Sequence, residues 1–255
     1  MNFVYSFSGE WLKKKRSASS FLTVAGALLI PALVIIARMD DRASLAAPNR
    51  DPRVWEILYN RCWQFMGLFL LPMGVILATS LITQIEFRNN TWKQLCTTPQ
   101  TLTTIFLAKL AVILVMLLEF FVLFNIGIWL TGVLPALFFG GGYYPAEPFP
   151  FETFLYGNAR FFLDCLPIVA LQYGISLRWK NFLIPLGAGL GFYVASMMAV
   201  HWRYGYTIPY TYCAYEAFGS RALKKGIDIH WWSAGYFLVL IVVAYIIYIT
   251  RKEKG

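Results

Sequence analysis

Long apolar runs alternate with short polar segments along most of this chain. Six of these runs are close to or above the roughly 20 residues with which an α-helix crosses a bilayer; they cover about 20–38, 62–85, 105–131, 158–178, 182–200 and 231–250. Only residues 178–181 separate the fourth run from the fifth, so we expect those two helices to form an antiparallel hairpin. The pattern predicts an all-α, polytopic membrane protein with six transmembrane helices, built as a single domain over residues 1–255.

Composition supports the membrane class over an ordinary soluble domain. The chain is 58% hydrophobic and 14% charged, with a mean hydropathy of +0.58, whereas soluble domains carry roughly 25% charged residues. The net charge of +9 does not require nucleic acid as a partner, because Lys and Arg near the ends of the spans account for most of it.

Basic clusters beside the spans orient the predicted bundle. An even number of spans places both termini on one side, and residues 13–16, 178–180 and 251–254 bring Lys and Arg to that side. Because short basic segments stay in the cytoplasm, we predict cytoplasmic termini in a bacterial inner membrane. A cleaved signal peptide is the competing interpretation. The first apolar run is longer than the usual core of about 7–15 residues, which favours its retention as a span.

Residues 1–18 have the pattern of an amphipathic helix. Wound as a helix, they place apolar side chains on one arc and polar ones opposite: Phe3, Val4, Phe7 and Trp11 against Asn2, Ser6, Gly9, Lys13 and Arg16. We predict an interfacial helix on the cytoplasmic leaflet. A disordered basic tail is the alternative.

The segment between the second and third runs is too polar to lie in lipid. Residues 86–104 carry charged and amide side chains and include Pro99, which stops a helix. We predict a short amphipathic helix that Asn90 caps, with Trp92, Leu95 and Cys96 on one face. That face suits docking in a cleft of a partner; the alternative is that Trp92 rests among lipid headgroups.

Polar side chains inside the predicted spans require partners, because a charge costs about 2.5–3.5 kcal/mol at the bilayer centre. Glu119 lies deep in the third span, and the residues leave open whether it belongs to a proton relay or to helix packing. Arg160 and Asp164 are four residues apart in the fourth span, so we expect them to share a helix face and pair. Gln172 lies two turns further inward, and Lys109 is close enough to the surface to snorkel.

Small residues recur at every fourth position of the fifth span, at Gly187, Gly191, Ala195 and Ala199. Such a stripe lets another helix approach closely, and that helix belongs either to this chain or to a second copy. In the second span, the hydroxyl and amide side chains of residues 79–84 either line a vestibule or bond back to their own helix.

The last outer loop is too aromatic for a free linker. Over residues 208–226 we predict one or two short helices at the outer leaflet. The rings of Tyr210, Tyr212, Tyr215 and Phe218 are expected to supply the interfacial surface.

Motifs for catalysis and metal binding are missing from the sequence. There is no GxxxxGK[ST] P-loop, no HExxH and no GxSxG. His201 and His230 lack a matched third ligand, so we predict no metal site. Of the cysteines, only Cys62 and Cys213 are placed to meet on the outer side.

Two segments resemble a known family. The first, Ser8-Gly-Glu-Trp-Leu-Lys-Lys-Lys-Arg16, precedes span one; the second, Glu86-x3-Asn90-Thr-Trp-Lys-Gln-Leu95-x3-Pro99, follows span two. Together with the six-span topology, they resemble the permease subunit of an ABC-2 type transporter. The similarity is closest to the group with lantibiotic- and bacitracin-immunity permeases.

The resemblance implies partners and a mechanism. In that family the loop between spans two and three is a coupling helix that docks on a separate ATPase, and two permease subunits enclose a path. It implies no cofactor in this chain, ATP and Mg²⁺ on the partner, and a homo- or heterodimer. The implied docking residues are Asn90, Thr91, Trp92, Lys93, Leu95, Cys96 and Pro99.

The implied function is the permease of an ATP-driven exporter, which is not itself an enzyme. Its substrate stays open between an antimicrobial peptide, a lipid and a drug. Two other classes also stay open: an intramembrane enzyme that uses Glu119 or Asp164 with Arg160, and a structural subunit of a membrane assembly. A neighbouring gene for a P-loop ATPase would favour transport.

Overall fold

A computed structural model describes residues 3–15, 17–40, 49–88, 100–139, 144–219 and 227–250, with the side chains of 86–88 excepted. The regular structure within these ranges is entirely helical. We number the α-helices in chain order: α1 Phe3–Lys15, α2 Ala18–Asp40, α3 Val54–Phe65, α4 Leu71–Arg88, α5 Leu102–Phe139, α6 Phe151–Arg178, α7 Leu183–Ala199, α8 Tyr212–Phe218 and α9 Ile229–Ile249.

Within the described ranges, five helical stretches are long and apolar enough to cross a membrane by length and composition. They are α2, α5, α6, α9 and the stretch Val54–Ile85, in which a π-helical turn at Met66–Leu70 joins α3 to α4. The apolar helix α7 has 17 residues, fewer than the roughly 20 that a straight crossing needs. The sixth span therefore stays a prediction.

The spans extend beyond the apolar runs. The second one begins at Val54 rather than near 62, because the first turns of α3 are amphipathic. Trp55 and Leu58 are buried while Glu56 and Arg61 are exposed. A continuous apolar run marks only the part of a helix that is apolar on all faces. The helix itself extends further, into turns where one face is polar. Helix α5 likewise has 38 residues.

Contacts between helix ends define two faces of the bundle. The terminal face holds the first turns of α1 and α5, and the last turns of α6 and α9. There Ser6 Oγ donates to Gln100 Oε1 over 3.1 Å, and the hydroxyls of Thr103 and Tyr245 lie 2.7 Å apart. The opposite face holds the first turns of α3, α6 and α9, together with α8. The start of α1 and the end of α9 thus lie at the same face.

Helix α6 is the centre of the bundle. It runs antiparallel to α5, where Asn125 and Asn158 exchange two amide hydrogen bonds of 2.9 Å. Against α9, Ser233 donates to the carbonyl of Leu163. Helix α6 ends at Arg178 and α7 begins at Leu183, so the predicted tight hairpin is confirmed.

The segment before α9 forms short helices, as predicted, over the part that the structure describes. Two 3₁₀ turns, Gly205–Thr207 and Pro209–Thr211, lead into α8, while residues 220–226 lie outside the described ranges. The prediction of an interfacial aromatic surface is wrong for three of the four rings. Tyr210, Tyr212 and Tyr215 are buried, because this segment folds inward onto α6 and α7. Phe218 is exposed.

Candidate functional site

The predicted docking residues lie outside the part of the chain that the structure describes. Asn90, Thr91, Trp92, Lys93, Leu95, Cys96 and Pro99 therefore keep the status of predictions. Their segment is bracketed by the end of α4 and the start of α5. Gln100, the first described residue after it, accepts the hydrogen bond from Ser6, so α1 contacts the chain at that residue.

A buried ion pair joins α1 to α5. Glu10 Oε2 lies 2.7 Å from Lys109 Nζ, and both side chains are almost fully buried. The other carboxylate oxygen of Glu10 lies 2.5 Å from Lys13 Nζ. Burial pushes the pKa of Glu10 upward, but Lys109 and Lys13 outweigh it, so the pKa lies below its ordinary value. The expectation that Lys109 snorkels is wrong, because its ammonium is held inside by α1.

One turn further along α1, Lys14 pairs with Glu119 of α5. The Lys14 ammonium also lies 4.2 Å from the centre of the Trp11 ring. This contact favours the packing interpretation of Glu119 over the proton relay.

Helix α1 thus turns its polar stripe inward. Ser6, Glu10 and Lys14 are its buried residues, whereas Phe3 and Val4 are exposed. Sequence reasoning missed Glu10 as a site residue, although its i, i+4 spacing from Ser6 and Lys14 is a readable signal. Phe7 and Trp11, the other two residues of the apolar arc, are partly buried against the core. Whether the exposed end of the arc contacts the membrane surface stays a prediction.

A second polar network lies near the opposite face. Arg160 Nη2 lies 3.1 Å from Glu216 Oε2, and Arg160 Nε donates to His230 Nε2 over 2.9 Å. His230 Nδ1 lies 2.9 Å from Asp164 Oδ1. The expected direct Arg160–Asp164 pair is therefore wrong: both residues share a face of α6, but the imidazole from α9 lies between them.

This network ties three elements together, since Arg160 and Asp164 come from α6, Glu216 from α8 and His230 from α9. Burial raises the pKa of Glu216, against the opposing effects of Arg160 and His230. Asp228 positions the imidazole by capping α9, since its Oδ1 accepts from the His230 backbone N–H. Glu216 and His230 were missed as members of the site because they come from a different part of the chain.

Three of these side chains have the right types to bind a metal ion. Ligand atoms of Asp164, Glu216 and His230 lie within 4.8 Å of one another. Both ring nitrogens of His230 are already engaged, one with Asp164 and one with Arg160. A metal would have to displace the guanidinium, so the donor set fits an ion-pair network better than a metal centre.

Gln172 of α6 is a packing centre. It is fully buried, and its Nε2 donates to Ser80 Oγ of α4 over 2.8 Å and to the carbonyl of Pro185 of α7 over 2.9 Å. Thr83 bonds back to carbonyls of its own helix. These contacts favour the back-bonding interpretation of residues 79–84 over a vestibule.

The small-residue stripe of α7 faces outward. Gly187, Gly191 and Ala195 are exposed, and a Cβ at either glycine would meet open space. Within α7, Gly189 allows close packing against the rest of this chain, because a Cβ there would lie 2.5 Å from Gln172 Oε1. A second copy as the partner of the outward stripe stays a prediction.

Comparison with protein families adds the class of the molecule. Residues 6–196 match the family described as ABC-2 family transporter protein. The match covers most of the chain, and the chain belongs to this family. It is a transmembrane permease component of an ABC transporter. Searches among curated proteins and among solved structures found no match.

Proposed function

We propose that this chain is the membrane-spanning subunit of an ATP-driven exporter that works as a dimer with a separate ATPase. The family match over residues 6–196 carries the proposal. The sequence has no P-loop, so a partner chain would supply ATP and Mg²⁺ chemistry. The lantibiotic- and bacitracin-immunity group is the proposed subgroup, with an antimicrobial peptide, a lipid or a drug as substrate.

The proposed docking element is the segment between α4 and α5. Its neighbours support a mechanical role, because α1 is joined to α5 by the Glu10–Lys109 pair and to Gln100 by Ser6. A displacement of the docking segment by the closing ATPases would therefore move α1 and α5 together. In the exporter, that movement would switch the path between inward and outward access.

The proposed orientation has the terminal face in the cytoplasm of a bacterial inner membrane. The basic residues at 13–16 and 178–180 support it. A Lys180→Cys variant tests it in intact cells. The thiol should react with a membrane-impermeant reagent only after the cells are opened, and reaction in intact cells would contradict this orientation.

The described contacts do not bring together the two carboxylates that an intramembrane enzyme could use. Glu119 belongs to the network with Lys14 on α1, and Asp164 to the network with His230 on α9. Glu119 and Asp164 thus belong to separate ion-pair networks and do not converge as a catalytic pair. Arg160 and Asp164 share the second network, where the His230 imidazole lies between them. An enzyme that uses Asp164 with Arg160 therefore stays an alternative.

Measured ATP hydrolysis tests the proposal. The chain purified with its partner in mild detergent should hydrolyse ATP, and the chain alone should not. Hydrolysis by the isolated chain, or an inactive complex in every preparation, would contradict it.

A further inference from the structure

A cavity of about 680 Å³ opens at the face of the bundle opposite the terminal face. It lies between α3, residues 147–150, the first turns of α6, and α8. Its volume falls in the range of about 300–1,000 Å³ that small-molecule sites occupy. The Arg160–Glu216 pair lies at its lining, so the polar network described above borders this space.

Aromatic rings that pack against one another form one wall. Trp55 meets Phe149 edge-to-face at 5.0 Å between ring centres, and Tyr59 meets Phe154 at 4.6 Å. Trp55 Nε1 also donates to the carbonyl of Glu147 over 2.8 Å, which fixes the loop to α3. The wall is preformed, because each ring is held by a neighbour.

The Tyr59 ring packs closely against α6 at Gly157, where the absence of a side chain leaves room for it. A Cβ at this residue would lie 2.1 Å from Tyr59 Oη. Tyr59 Oη and Trp63 Nε1 are buried, and neither has a hydrogen-bond partner within the described ranges. Both atoms lie behind the aromatic wall, where the fold leaves them unsatisfied, and this is uncommon in a closed core.

The charge left over in the lining is negative. Arg160 is paired with Glu216, and at the rim Arg53 lies 3.5 Å from Asp51. Glu56 and Glu147 also line the cavity and are exposed. No ion-pair partner for either of them occurs in the part of the chain that the structure describes. Two carboxylates thus remain uncompensated beside an aromatic wall.

We propose that this cavity binds an organic cation with an apolar, aromatic body. The carboxylates of Glu56 and Glu147 attract its charge, and the partly exposed rings of Tyr59 and Phe149 offer aromatic surface on which a cation is stabilised. Binding needs only this chain. That the ligand is a substrate of the exporter rests on the proposed function.

Tetraphenylphosphonium and tetraphenylborate test the proposal, because they have the same shape and opposite charge. Binding of each ion to the full chain in a neutral detergent is measured by equilibrium dialysis against protein-free micelles. We expect saturable binding of the phosphonium and binding of the borate that is at least about tenfold weaker. Equal binding of the two ions would overturn the proposal, since shape alone would then explain it.

The variant Glu56→Gln/Glu147→Gln removes both charges at exposed positions and so preserves the fold. Its affinity for the phosphonium should fall about tenfold, as expected for two partly exposed charge interactions. The matched control is Glu152→Gln, an exposed carboxylate in the first turn of α6 that does not line the cavity; it should bind like the parent. Parent-like binding by the double variant, or an equal loss in the control, would contradict the site.

Tighter binding of the borate than of the phosphonium, lost in Arg160→Gln, would show an anion site and overturn the proposal. All these measurements are made without an ATPase. A negative result therefore leaves the proposed transport function standing, and failure to find an ATPase leaves the binding result unaffected.

Discussion

Replacing Lys109 by Met should destabilise the protein strongly. The Lys109 ammonium lies 2.7 Å from Glu10, and the exposed fractions of the two side chains are 2% and 7%. Removing one member of a buried ion pair typically costs about 3–5 kcal/mol, because the remaining charge stays buried without compensation. Here Lys13 remains 2.5 Å from the other oxygen of Glu10. We therefore expect the lower end, a loss of about 3 kcal/mol in the free energy of unfolding.

The assay is chemical unfolding of the chain in a neutral detergent, followed by tryptophan fluorescence. The matched control is Lys180→Met, which removes an exposed lysine in the turn between α6 and α7; it should stay within about 0.5 kcal/mol of the parent. The double variant Glu10→Gln/Lys109→Met should lose about 1 kcal/mol less than the sum of the two single losses, because the residues interact directly. A Lys109→Met protein as stable as the control would refute the buried pair.

Three further predictions follow from the same contacts. The pKa of Glu10 is lowered, so its contribution to stability is present above the ordinary value of 4.5 and is lost as pH falls below it; the stability gap between parent and Glu10→Gln should shrink in acid. Gly189→Ala should lower the free energy of unfolding by about 1–3 kcal/mol, because the new Cβ would clash with Gln172. Gly187→Ala should change it little in a single copy of the chain, because a Cβ there meets open space. Gln172→Leu removes the donor that two buried acceptors share, and the free energy of unfolding should fall by about 1–3 kcal/mol for each acceptor left unpaired. Gln64→Leu, at an exposed position, is the control and should have a small effect. Unfolding in the same detergent measures all three.

The long helices were predictable because membrane insertion depends on a local property. Some twenty apolar residues in a row need no distant partner to become a helix in lipid. The same reasoning placed the turn at 178–181, where the apolar pattern is interrupted by four residues. The predicted start of the second span, near residue 62, was too late. The hydropathy of an amphipathic turn such as the one at Trp55 and Glu56 averages to a polar value, so no apolar run marks that turn.

The polar partners were not predictable, because they depend on which helix faces meet. Arg160 binds Glu216 and His230, which lie 56 and 70 residues further along the chain. No local pattern encodes such pairs. Glu10 is an exception, because its buried position could have been predicted. Ser6, Glu10 and Lys14 recur at every fourth residue of α1 and so form one stripe. Charges that complement this stripe were already visible in α5, at Lys109 and Glu119. The three buried tyrosines near α8 show the converse error, since aromatic side chains suit a core as well as an interface.

Affinity purification of the full chain from its native membrane shows whether it forms a complex with a P-loop ATPase. Three versions are compared in mild detergent: the parent, Trp92→Ala, and Trp231→Ala as the control, since Trp231 is an exposed tryptophan at the opposite face.

We predict that a P-loop ATPase co-purifies with the parent and with the control and is lost from Trp92→Ala at an unchanged membrane level. Truncating a buried tryptophan anchor typically costs at least about 2 kcal/mol of binding free energy. A parent chain that purifies intact without any P-loop protein would contradict the account. Full ATPase recovery with Trp92→Ala would show that the docking face has been assigned wrongly.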